Sequence, residues 1–182
     1  MRMRNAGSLT VSLLAGMLAW AGPAHAGPTD TPLPTFSDGR PAVAVYTVVG
    51  VIKGVNLETD VVCTNVDTVA VDIGLEVFDE TGALRNSVNA GSGAFLGVAP
   101  GKTVTVGTAG TAAFHEDQTL TLNTAGNGTA ALRNGSGRVV GTSKNLLCTA
   151  FVLDKVHTIT DPVACSTCPP PPFTAIPLIK VP

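Results

Sequence analysis

Aromatic rings and charge are what this 182-residue chain has least of. Tryptophan occurs once, as Trp20, and tyrosine once, as Tyr46, so six phenylalanines are the remaining aromatics. A sugar cleft is normally lined by stacking rings, and few are on offer here. Charged residues make up only 13% and form no basic patch. That argues against nucleic acid and against anionic membrane surfaces as partners. The signatures of common chemistries are absent as well: no GxSxG elbow, no HExxH, no Gly-rich phosphate loop opening a helix, and no Asp-x-Asp-x-Asp-Gly calcium loop. The expectation is a protein that is not an enzyme, with no cofactor and no metal.

The first segment reads as an address. Arg2 and Arg4 form a short basic region, Leu9 to Ala21 is apolar and small, and Ala24-His25-Ala26 has the small-x-small pattern of a cleavage site. The apolar run is too short to span a bilayer comfortably, and no later stretch is long enough. We read residues 1–26 as a Sec-type signal peptide cut after Ala26, which predicts a secreted or periplasmic protein. No Cys stands at the cut to carry a lipid. Taking 26 residues from 182 leaves 156, enough for one domain with a sizeable core. Trp20 and two of the 11 basic residues go with the leader, so nine basic residues face 13 acidic ones and the net charge is −4.

What remains is rich in Val, Thr, Gly and Ala, which suits strands. Residues 27–41 carry four prolines and no apolar period, so an extended lead-in is expected. From Ala42 to Val55 the chain turns strongly β, with Gly50 marking a bulge or bend, and so sticky a strand should be paired or covered on both sides. Asp60 to Asn65 is a further strand. Val69, Val71, Ile73, Leu75 and Val77 then alternate with Ala70, Asp72, Gly74 and Glu76. This period of two predicts one buried face and one face in water bearing Asp72 and Glu76. Asp79-Glu80-Thr81-Gly82 supplies turn chemistry.

Short strands are expected at Leu84–Val88, Phe95–Val98 and Thr103–Val106, the last two separated by a Pro100-Gly101 turn. Asn127-Gly128 and Asn134-Gly135 are strong hairpin signals. They predict a meander of strands at Thr119–Asn123, Thr129–Arg133 and Arg138–Thr142. Leu146–Asp154, apolar on both faces, should be central. No capped amphipathic helix interrupts the series.

The fold class is therefore all-β, with a domain over residues 42–160 and a Cys/Pro-rich tail over residues 161–182. Many short strands between turns suggest an antiparallel two-sheet β-sandwich, with a barrel as runner-up. The outline is similar to immunoglobulin-like and fibronectin type III-like exported modules. The likeness is one of architecture alone, because the Cys…Trp…Cys pattern of antibody domains has no Trp here after leader removal.

Four cysteines in an exported chain point to disulfides. Of the three pairings, Cys63–Cys148 and Cys165–Cys168 are favoured. Cys63 and Cys148 lie in the two most strand-like apolar segments, and their bridge would stabilise by about 4 kcal/mol on the chain-entropy model. Cys165-Ser-Thr-Cys168 would pair locally. Read as a redox motif it lacks a βαβ context, and read as a zinc site it needs two more ligands.

Among polar candidates, His115-Glu116-Asp117 reads as a solvated turn, and Asp79-Glu80 as turn residues, not calcium ligands. Asn127 and Asn134 head Asn-x-Ser/Thr sequons that matter only if the source glycosylates. The tail is the remaining candidate for function. After four prolines, Phe173, Ile176, Leu178 and Ile179 could lie back on the domain or add to a partner's sheet edge. The sequence reading is a structural or protein-binding module with an unknown protein or surface partner. A small-ligand or carbohydrate-binding module is the alternative.

Overall fold

The computed structural model of the chain describes residues 27–110, 115–123, 131–154 and 173–182. The expected leader, the predicted turn at Asn127-Gly128, and Cys165 and Cys168 lie outside these residues. What is described is nearly all strand. One helical turn, α1 (Gly27–Asp30), precedes β1 (Val43–Lys53), β2 (Leu57–Asn65), β3 (Val71–Phe78), β4 (Ala94–Val98) and β5 (Thr103–Gly107). After them come β6 (Gln118–Thr119), β7 (Leu132–Gly141), β8 (Leu146–Asp154), β9 (Phe173–Ile176) and β10 (Leu178–Lys180).

The strands hydrogen-bond in the order β4-β3-β7-β1-β2-β5-β6, with β10 on β1, β8 on β2 and β9 on β8. Every pairing is antiparallel except β5 with β6. The path does not close, so the barrel expectation is not met. It is almost cut in the middle as well: β1 and β2 share a single rung, Lys53 opposite Glu58. On one side lie β4-β3-β7-β1-β10, on the other β5-β2-β8-β9. The main core draws on both, with Val45, Val51, Leu75 and Val139 from the first and Val61, Cys63, Val106 and Ala150 from the second. As expected, β1 is paired on both sides, by β7 and β10, and its register shifts at Gly50, whose φ of 83° only glycine adopts readily.

Two expectations are corrected. All eight residues of β3 are buried, so Asp72 and Glu76 do not face water. The residues over their face come from elsewhere in the chain: Phe36 and Ala42 from the segment entering β1, Val88 from the loop after β3, and Val140 of β7 form a second apolar cluster. A Cβ at Gly74 would lie 3.0 Å from both Val88 and Val140. A period-2 pattern describes the residues of one strand and cannot register a cover supplied by distant ones. The expected lead-in thus belongs to the packed body.

The second correction concerns Asn134-Gly135, which makes no hairpin. It lies inside β7, continuous from Leu132 to Gly141, with Gly135 opposite Val51 of β1 and Ser136 opposite Phe78 of β3. Glycine is needed there for a different reason. A Cβ would sit 2.7 Å from the Phe78 carbonyl oxygen and 3.0 Å from that of Val51. β7 runs without a break from Leu132 to Gly141, joining the described parts of two predicted strands, and Leu84 contributes only an isolated bridge to Phe78 in place of a strand.

Candidate functional site

Two kinds of buried charge occupy this fold, and they behave differently. The first kind is paired. Arg138 of β7 donates from Nε and Nη2 to the same Glu76 oxygen, at 2.9 and 2.6 Å. Its remaining N–H groups reach the carbonyls of Pro28, Thr31 and Pro32. Burial raises the Glu76 carboxyl above its ordinary value, even though Arg138 opposes the shift. Arg40 pairs with Asp72, which also accepts the Gly97 N–H. Arg85 reaches Asp79 and holds the Asn123 carbonyl from Nε and Nη2. These groups join the chain to itself.

The second kind is a cluster of like charge. Glu58 and Asp60 are alternate residues of β2, so their side chains leave the strand on one face. Glu116 comes from the β5–β6 connection. Its neighbour Asp117 accepts the Thr105 N–H at 2.8 Å and returns its own N–H to the Thr105 carbonyl at 3.0 Å, pinning this segment to β5, the neighbour of β2. The three carboxylates bring oxygens within 4.8 Å of one another. Glu58 and Asp60 are fully buried and Glu116 half-buried. Among the described residues no N–H or O–H reaches either Asp60 oxygen. Burial, reinforced by the charges of Glu58 and Glu116, pushes the Asp60 carboxyl up to about 8. Gly107, opposite Asp60 on β5, leaves the room: a Cβ there would lie 2.6 Å from Asp60 Oδ1 and 3.1 Å from Glu116 Cγ.

No protein-family model matches the chain, and no curated protein or solved structure matches it either. Function has to be argued from the geometry.

Of the residues singled out in the sequence, Cys63 and Cys148 are joined, directly opposite each other on β2 and β8. The tail divides. β9 pairs with β8 and β10 with β1, so the four tail residues lie on the chain's own sheet. Ile176 and Leu178 pack against the core, whereas Phe173 and Ile179 remain 60% exposed. His115 is exposed and only Asp117 of its tripeptide is near it, at 3.9 Å. Reading His115-Glu116-Asp117 as a solvated turn therefore holds for His115 and fails for Glu116. Strand alternation does place Glu58 and Asp60 together. The third member is invisible in sequence, because nothing local says that residue 116 folds back over β2. A shallow polar depression lies elsewhere, lined by Ser87, Ser92, Gln118, Thr119, Thr121 and Asn123.

Proposed function

We propose that this chain is an exported, disulfide-stabilised two-sheet β-sandwich with a structural or protein-binding role and no catalytic activity. The single rung between β1 and β2 and the core shared by both groups of strands support two facing layers. A disulfide between core strands fits an oxidising compartment, and no helix among the described residues is long and apolar enough to cross a membrane.

The observation that carries the binding role is where exposed apolar surface lies. Phe173 on β9 stacks edge-on against Phe151 at 6.2 Å, and Leu147 lies further along the same strand face, 65% exposed. Ile179 stands opposite Thr47 on β10, on the face that also bears Val49, 61% exposed. Both patches sit on or beside the outermost strands, where a partner has access to apolar side chains and to an unpaired strand edge together.

The test leaves the tail in place and changes its exposed residues. Immobilised mature protein is exposed to the exported fraction of its source, alongside a Phe173→Ser/Ile179→Ser variant of unchanged melting temperature. A bound protein retained by the first and lost by the second is the expected result. Equal retention, or none, overturns the role of this surface. The polar depression beside Gln118 favours a second reading, a small polar ligand such as a sugar. A ligand-dependent rise in melting temperature, lost in Gln118→Ala and kept in the tail variant, would establish it.

A further inference from the structure

Three carboxylates converge on one buried point, and the geometry asks what neutralises them. We propose that Glu58, Asp60 and Glu116 form a binding site for a hard divalent cation of about calcium's size. This goes beyond a binding surface at the tail and does not depend on it.

The donor set is all oxygen, which selects calcium, magnesium or manganese over zinc or copper. Three oxygens each within 4.8 Å of the others lie within about 2.8 Å of a common point, close to the bond length of about 2.4 Å typical of calcium. Backbone carbonyls and water complete such a shell. Acidic groups alone would be weak grounds, and two further observations point to a ligand. The Asp60 side chain is fully buried, yet among the described residues no N–H or hydroxyl reaches its oxygens, and the group it can share a proton with is another acid, Glu116. A buried carboxylate normally has a donor or a counter-charge, since burying it bare is costly. In addition, Gly107 of β5 keeps the space beside the cluster free of a side chain, since a Cβ there would meet Asp60 Oδ1 and Glu116 as well as the Ala109 carbonyl oxygen.

Nearby charge does not remove the need. Lys53 stands opposite Glu58 in the β1–β2 register, so one cation is close to one end of the cluster. The charges of Glu58 and Glu116 still bear on Asp60, whose own oxygens are reached by no N–H or hydroxyl among the described residues. Protonation of Asp60 is the alternative way to relieve this repulsion, and an ion would displace that proton. The ion would tie the β5–β6 connection to β2, much as the disulfide ties β2 to β8. Its role would be structural, and the site would fill where calcium is plentiful.

The experiment uses the full mature chain, stripped with chelator and dialysed. Calcium chloride or magnesium chloride is then titrated at fixed ionic strength, with binding followed by calorimetry and stability by melting temperature. A rise of about 5–10 °C is expected at 100 times the dissociation constant. Asp60→Asn preserves shape while removing the central charge, so this variant should fold, melt higher than the stripped wild type and lose the response. Glu116→Gln, on the connection and outside the core strands, should weaken binding at least tenfold. Absence of heat and of any melting shift with both ions overturns the proposal. So does a response that survives in Asp60→Asn and Glu116→Gln.

Discussion

Arg138 and Glu76 face each other across the β3–β7 ladder, both 2% exposed, with the guanidinium held 2.6 Å from the carboxylate. The same guanidinium lies 5.7 Å from the centre of the Phe78 ring and donates to three carbonyls of residues 28–32. It therefore does what neither a methionine nor a lysine can: it satisfies a buried acid and ends a stretch of backbone at once. Arg138→Ala should cost about 3–5 kcal/mol, because Glu76 is left buried without a counter-charge and three part-buried carbonyls lose their donor. Urea unfolding measures the loss. Hydrogen exchange should show residues 27–32 losing protection before the core strands do.

The Cys63–Cys148 bridge closes a separation of 85 residues. Replacing both cysteines by alanine should lower stability by about 4 kcal/mol on the chain-entropy account. The wild type should lose a similar amount in reductant, and the double variant should lose much less, since only the short Cys165–Cys168 loop would be left to reduce. A reductant effect that persists in the double variant would assign it to the other two cysteines.

Gly135→Ala tests the misread hairpin signal. A turn glycine of positive φ and a glycine squeezed between backbones both resist alanine, but they respond differently to asparagine. Asn tolerates the left-handed region of a turn, whereas inside β7 any Cβ meets the Phe78 and Val51 carbonyls. Alanine should cost about 1–3 kcal/mol and asparagine at least as much. Rescue by asparagine would restore the turn reading.

Asp79 sets a pH dependence. Burial by itself would raise its carboxyl, but the Thr81 hydroxyl, the N–H groups of Ala83 and Thr81, and the Arg85 guanidinium outweigh it and hold the group below its usual value. A carboxyl lowered on folding adds stability above its unfolded pKa of about 3.9, and that stability is lost as pH falls through the folded value. The gap in urea midpoint between wild type and Asp79→Asn should therefore be wider at pH 7 than at pH 3. A gap that widens in acid would reverse the sign.

Much of the fold was legible before any coordinates, and the reason is local. Strand periodicity and the bulge at Gly50 are written in residues close together along the chain, and the cysteine pairing follows from finding one Cys in each of two locally legible apolar strands. What was missed depends on distant segments. Asp72 and Glu76 look solvated until Phe36, Val88 and Arg138 are placed over them. Asn134-Gly135 looks like a turn until two neighbouring strands are brought against it. The acidic cluster needed one residue from a connection whose path no pattern encodes.

The position of β9 and β10 in the chain gives the fold a timetable. A polypeptide is made from its amino end, so β1 and β8 exist before the strands that flank them, and Pro177 alone separates those two flanking strands. Both exposed ladders are closed by one short stretch, made after the strands it covers. A chain halted before Phe173 would have its disulfide strands and most of its core, and would still offer two bare backbone edges to any neighbour in the same condition. Protection against mispairing thus arrives with residues 173–180, only after the strands that need it.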